Sequence, residues 1–130
     1  MLRPSLFAKI HMATVTAAHP DYMGSITIDR HILDAIGMRV NDWVVVANCR
    51  SGARIETYVF EAPAGSRRIE LNGAAAREFE PDDRVIILHF AHMSDDEYRQ
   101  HRPQVALMGP GNEISEIIRY EPDGPRSGRE

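Results

Sequence analysis

The chain has 130 residues, 43% of them apolar but only 7% aromatic, and carries a net charge of −4. That length predicts one domain with an aliphatic core, and the acidic balance with scattered arginines argues against a nucleic-acid surface. No apolar run reaches the length of a membrane span. The first fifteen residues are broken by Pro4, Lys9 and His11, which is wrong for a secretory signal. Together with a lone Cys49, this predicts a cytoplasmic protein that uses no internal disulfide. Cys49 lies at the end of the apolar run "WVVVANC", which predicts a small buried hydrophobe. Of fifteen basic residues fourteen are Arg, and the single Lys is Lys9, a compact point charge where Arg offers a planar fork.

In chain order, "SLFAKIHMATVT" alternates as a strand, with Leu6, Ala8, Ile10 and Met12 on one face and Phe7, Lys9, His11 and Ala13 on the other. "DYMGSITID" places a Gly-Ser pair before a second short strand, where a turn is the plain reading of Gly24-Ser25. "DRHILDAIG" predicts a short helix capped by Asp29 and ended by Gly37, with Ile32, Leu33 and Ile36 as its apolar stripe. "DWVVVANCR", the turn "RSGA" and "RIETYVFEA" form a hairpin, with Arg54, Glu56 and Tyr58 on one side and Ile55, Thr57 and Val59 on the other. "RRIELNG" is a short strand running into the compact turn Asn72-Gly73-Ala74-Ala75-Ala76, which exposes backbone N–H groups. "EPDDRVIILHFAHM" is a turn and a strand, "SDDEYRQHR" a helix capped by Ser94, and "PQVALM" a last strand. From Gly109 onward the chain predicts a tail: "EISEIIRY" weakly ordered or packed on a neighbour, residues 121–130 flexible. Six or seven short strands with two short helices predict a small closed β-barrel.

Taken singly, the polar residues of these segments read as surface charges, rim tyrosines and a helix start. Taken together, "AKIHMATVT", "DYMGSITID", "LDAIG", "RIETY", "NGAAA", "DRVIILHF" and "RPQVALM" resemble, in order and spacing over residues 1–108, the pyruvoyl-dependent aspartate 1-decarboxylase family. The resemblance implies a mainly β fold, a six-stranded double-psi β-barrel with short helices over residues 1–108, followed by the tail 109–130. It also implies a homotetramer with active sites between subunits, and self-cleavage between Gly24 and Ser25.

In that scheme Ser25 Oγ attacks the Gly24 carbonyl, unobstructed because Gly24 has no Cβ, with Thr57 supporting the oxyanion. Elimination and loss of ammonia turn Ser25 into a pyruvoyl group, the only cofactor implied, with no metal. L-Aspartate forms a Schiff base on it and loses CO₂, Tyr58 donates a proton, and β-alanine leaves for pantothenate synthesis. Substrate binding falls to Arg54, bidentate on the β-carboxylate, with Lys9, Thr57, Gly73, Ala74 and Ala75. His11, Tyr22 and Asn72 support the pocket. Ala47 stands where some family members carry a tryptophan, which leaves either a more open pocket wall or a different filler from another subunit. Whether a maturation partner assists cleavage is left open.

Three other readings stand beside this one. The first is a binding barrel in which Ser25 is only a turn residue. The second is a metal site at His89, His92, Asp95 and Asp96, whose spacing fits no strong pattern. The third is a pyruvoyl decarboxylase for a different amino acid.

Overall fold

The computed structural model describes residues 1–127. It is mainly β with short helices, as expected: β1 (Arg3–Thr14), β2 (Ala17–His19), β3 (Ser25–Asp29), α1 (Arg30–Ile36), β4 (Trp43–Asn48), β5 (Arg54–Ala62), β6 (Ile69–Asn72), β7 (Arg84–Met93), α2 (Asp95–Gln100), β8 (Gln104–Met108), β9 (Ile114–Glu121) and β10 (Gly124–Ser127). The pairing order is β10-β9-β8-β1-β7-β4-β5-β3-β6-β2. Ten strands in an open order thus replace the six or seven of a closed barrel. The sheet still curls around one core, because β1 pairs with β7 and β8 while β2, two residues on, pairs with β6.

Two irregularities in β1 bend it. The register against β7 slips between Leu6 and Ala8 and again between Ile10 and Ala13. At the second bulge Met12 takes a φ of 64°. The extra residue flips the alternation, so Ala13 and Val15 enter the core and Met12, expected there, does not. Thr16 then closes the gap to β6, donating its N–H and Oγ1 to the Ile69 carbonyl while Oγ1 accepts from Ile69 N–H.

The helix signals hold. Asp29 caps α1 through His31 N–H at 2.8 Å, and Gly37 ends the helix in the left-handed region. The same buried carboxylate accepts from Gly65 N–H at 2.9 Å and Arg67 N–H at 2.8 Å, tying the β5–β6 turn to the end of β3. Ser94 and Glu97 form a full capping box on α2.

The segment expected to be a loose tail is instead sheet. β9 pairs antiparallel with β8, and β10 folds back on β9. Its apolar positions Ile114 and Ile117 pack on the core. Of the stretch expected to be flexible, residues 121–127 carry the end of β9 and all of β10, and residues 128–130 lie outside those described. Cys49 is also not buried: β4 ends at Asn48, and Cys49 opens the exposed turn that follows, its Sγ 3.6 Å from Met12 Sδ. Among the described residues no helix is long and apolar enough to cross a membrane.

Asp83 closes the other end of the fold. Its carboxylate accepts from Arg50 Nε at 2.7 Å, Asn48 Nδ2 at 2.8 Å and Glu80 N–H at 2.9 Å. The Arg50 hydrogen bond, then the Glu80 amide and Asn48, hold the acid well below the usual carboxylate range despite burial. A depressed folded-state pKa gives stability that is present above the unfolded value, about 3.9, and is lost as pH falls below it toward the folded value. Asp83→Asn is therefore expected to cost about 1–3 kcal/mol at pH 7 and to flatten the loss of stability below about pH 4. Urea unfolding at pH 7 and pH 3 measures both, and an acid limb as steep as in the parent chain would refute the assignment.

Candidate active site

Strand alternation builds the site. On β3, Ile26 and Ile28 are fully buried in the core, so Ser25 and Thr27 take the opposite face. On β6, Ile69 and Leu71 go into the core and Glu70 and Asn72 go to that same opposite face. The antiparallel register sets Ser25 across from Asn72 and Thr27 across from Glu70. Asn72 Nδ2 donates to Ser25 Oγ at 3.0 Å and to Thr27 Oγ1 at 2.9 Å. Ser25 is only 1% exposed. A buried hydroxyl is thus held at the first residue of β3 by a side chain that leaves its own proton free.

The bond before Ser25 sits where two backbones nearly touch. Gly73 has a φ of +87°, and a Cβ there would fall 2.5 Å from Gly24 Cα and 2.7 Å from Gly24 N. Only glycine meets both conditions. Gly73 N–H donates to the His19 carbonyl at 2.9 Å, and the same carbonyl accepts Tyr22 N–H at 3.1 Å. His19-Pro20-Asp21-Tyr22 is therefore a β-turn with Pro in its second place. Past Gly73, the first bond of the 3₁₀ turn Ala74–Glu78 runs from Ala76 N–H to the Gly73 carbonyl. The amides of Ala74 and Ala75 precede it and lie at the open start of the turn.

Tyr58 comes close by register. β3 and β5 run parallel with Ile26 beside Val59, so Ser25 and Tyr58 each stand one residue earlier. Val59 is buried and Tyr58 is 39% exposed, which puts Tyr58 on the Ser25 face. Tyr58 packs edge-on to Phe60, ring centroids 5.4 Å apart, and faces Trp43 on β4. Thr57 alternates to the other side, opposite Val44, and among the described residues no hydrogen bond joins it to Gly24 or Ser25. Arg54 is exposed, with Ala47 opposite it, and makes no ion pair among the described residues.

Lys9 and His11 are not drawn to this cluster. In pairing order β7, β4 and β5 separate β1 from β3. Lys9 Nζ lies 3.4 Å from the Tyr120 hydroxyl, over the Tyr120 ring at 5.8 Å. His11 Nδ1 is buried and has no hydrogen-bond partner among the described residues. Burial first, then the charges of Lys9 and Arg84, push the His11 imidazole below its ordinary pKa.

The metal-site candidates are dispersed or spent. His89 Nδ1 donates to the Trp43 carbonyl at 2.7 Å, and Asp95 pairs with Arg99 at 2.8 Å. His92 lies across from Pro4 and is exposed.

Sequence reasoning missed three residues. His19 stacks on Tyr22, rings 4.4 Å apart and 12° from parallel. Its Nε2 lies 3.1 Å from Glu70 Oε1, and the other Glu70 oxygen accepts from Arg68 Nε. The Arg68 hydrogen bond, helped by His19, keeps Glu70 below the ordinary carboxylate range. The pattern Ile69-Glu70-Leu71-Asn72 carried the signal, since two polar residues alternating with two core residues share one face.

The aspartate decarboxylase family model matches residues 1–115. The chain is 46% identical over 122 residues to the aspartate 1-decarboxylase of Bacillus velezensis, covering 94% of this chain and 96% of that protein. It is 45% identical over 122 residues to that of Bacillus subtilis strain 168, with the same coverage. The aspartate 1-decarboxylase of Staphylococcus carnosus is 48% identical over 118 residues, 91% of this chain and 93% of its own length.

The contact between Gly73 and Gly24 makes a direct prediction. Gly73→Ala is expected to lower unfolding stability by about 3 kcal/mol or more, since strain and a backbone clash add. Gly52 has a comparable φ of +78° with nothing within 4 Å, so Gly52→Ala carries only the conformational cost of about 1–2 kcal/mol. Equal losses for the two variants in urea unfolding would mean that the contact is not a constraint.

Proposed function

The chain belongs to the aspartate decarboxylase family, and from that premise we propose that it decarboxylates L-aspartate to β-alanine and CO₂, using a pyruvoyl group that it makes from its own Ser25. The observation that carries the reading is the buried Ser25 hydroxyl, oriented by Asn72 and placed directly after a glycine pressed against Gly73.

Ser25 Oγ attacks the Gly24 carbonyl and loses its proton, and the peptide C–N bond breaks to leave an ester and a free amine. Elimination takes the Ser25 α-proton and releases the Gly24 carboxylate. Water then replaces the nitrogen, which leaves as ammonia, and a ketone remains. The balance is one water consumed and one ammonia released. Asn72 holds the nucleophile in place before the attack. In the finished enzyme the ketone supplies an electron sink for the departing carboxylate. Tyr58, on the same face, returns a proton to the carbon that lost it. Arg54, free of acidic partners among the described residues, grips the side-chain carboxylate in a fork, and Asn72 with the backbone from Gly73 to Ala75 shapes the wall beside Ser25.

The reading also takes the site to be shared between copies of the chain, in a homotetramer. Lys9 and His11 lie several strands from Ser25 in pairing order, and Thr57 points away from it; in this reading a second copy supplies them. Trp43, Tyr58 and Phe60, each 39% exposed, give an aromatic surface for that contact. Residence in the cytoplasm and supply of β-alanine to pantothenate synthesis complete the proposal.

Intact mass under denaturing conditions tests the cofactor. The expected result is two fragments split after Gly24, the larger one ammonia lighter than a chain starting at Ser25. Ser25→Ala stays whole. A parent chain that stays whole alone and cleaves only with added lysate needs a maturation partner; one that never cleaves is a binding module. Tyr58→Phe is expected to cleave normally and to lose about 10²–10⁴-fold in kcat. Arg54→Lys is expected to raise KM for aspartate at least tenfold, and an unchanged KM would remove the bidentate contact.

A further inference from the structure

The loop on the amino-terminal side of the scissile bond has a restraint that nothing in the reaction scheme above uses. Tyr22 is 62% exposed and Met23 84% exposed, so the chain entering Gly24 has little packing of its own. Ser25 Oγ is fixed by Asn72. The attacked carbonyl belongs to the loose side of the bond, and its position relative to Oγ sets how often the two meet.

We propose that His19, anchored by Glu70, is a positioning residue for self-cleavage at Gly24–Ser25. This rests on the self-cleavage reading. The imidazole stacks flat on the Tyr22 ring, two residues before Gly24. The His19 carbonyl gathers Tyr22 N–H and Gly73 N–H onto one oxygen, which joins the loop to the residue that presses on Gly24. Pro20 restricts His19 to extended backbone, the geometry that continues β2 into the turn. Glu70, 7% exposed, holds the ring through Nε2, and Arg68 fixes the carboxylate from its other oxygen. Strand β6 therefore grips both sides of the scissile bond from adjacent positions on one face: Asn72 holds Ser25, and Glu70 holds His19 and through it Tyr22.

The role ends when the bond is cut, because the Gly24 carbonyl then no longer has to meet Ser25 Oγ. That separates positioning from general stability. Single-turnover self-cleavage of freshly folded chain, followed by intact mass, is expected to slow about tenfold or more in His19→Ala and in Glu70→Ala. The double variant is expected to be no slower than either single one. His19→Phe keeps the stack and loses only the Glu70 contact, so it should fall between. Turnover per pyruvoyl group formed should stay within about twofold of the parent in every variant. Cleavage of His19→Ala at the parent rate would overturn the proposal. So would equal losses in cleavage and in turnover per pyruvoyl, which would mark His19 as merely structural. A parent chain that never cleaves, even with lysate, would remove the self-cleavage reading itself, a different failure seen before any variant is made.

Discussion

The geometry around Ser25 depends on two glycines whose backbones meet. With Gly73 at a positive φ and its missing Cβ pointed at Gly24, β6 can run straight under the loop that enters β3. Any side chain at position 73 would push that loop out. The Ser25–Asn72 register, the hydrogen bond between the two, and the turn at His19 would then lose their common reference. The close approach lets backbone alone hold Gly24.

From that contact the rest of the site follows by parity. β3 and β6 are antiparallel, and each places alternate residues in the core. The core residues Ile26, Ile28, Ile69 and Leu71 are all completely buried. Their burial fixes the register more firmly than any polar contact, since a one-residue slip would exchange the faces entirely. The polar residues are thus positioned by the hydrophobic ones. Ser25, Thr27, Glu70 and Asn72 line up because their neighbours cannot move.

The parts of the fold legible in the sequence were those set by local chemistry. Asp29 and Ser94 announce helix starts by side-chain capping, Gly37 announces a stop, and "RIETYVFEA" alternates as it does in β5. What was not legible is set by distant partners. Met12 leaves the core face because of a bulge against β7, and no local residue encodes it. The Gly/Pro-flanked "EISEIIRY" left weak order and packing on a neighbour both open; β8 offers it an edge as β9, and the core accepts Ile114 and Ile117. Within the site, Gly24, Ser25, Asn72 and Gly73 come together. Lys9 and His11 do not join them within one chain, a fact of pairing order that residue spacing does not reveal, whereas Thr57 is turned away by the alternation of β5, which the sequence did show.

The cations of this chain divide by what holds them. Arg50, Arg68 and Arg102 are each held by carboxylates that are themselves mostly shielded, which consumes their charge within the fold. Lys9 is supported differently, by the ring and hydroxyl of Tyr120. A phenol and its π-face steady an ammonium without neutralising it. Tyr120 is in turn well anchored: its N–H donates to the Pro103 carbonyl, and the adjacent Glu121 is locked by Arg102 and Arg119. Tyr120 lies beyond the residues that the family model matches, so the carboxy-terminal strand β9 completes the setting of the half-buried Lys9. Arg54, opposite the small Ala47, likewise keeps its charge available. Among the described residues Lys9 and Arg54 share their lack of a carboxylate partner with Arg3, Arg39, Arg67, Arg77 and Arg84, so a missing ion pair does not by itself mark a cation that receives a carboxylate from outside.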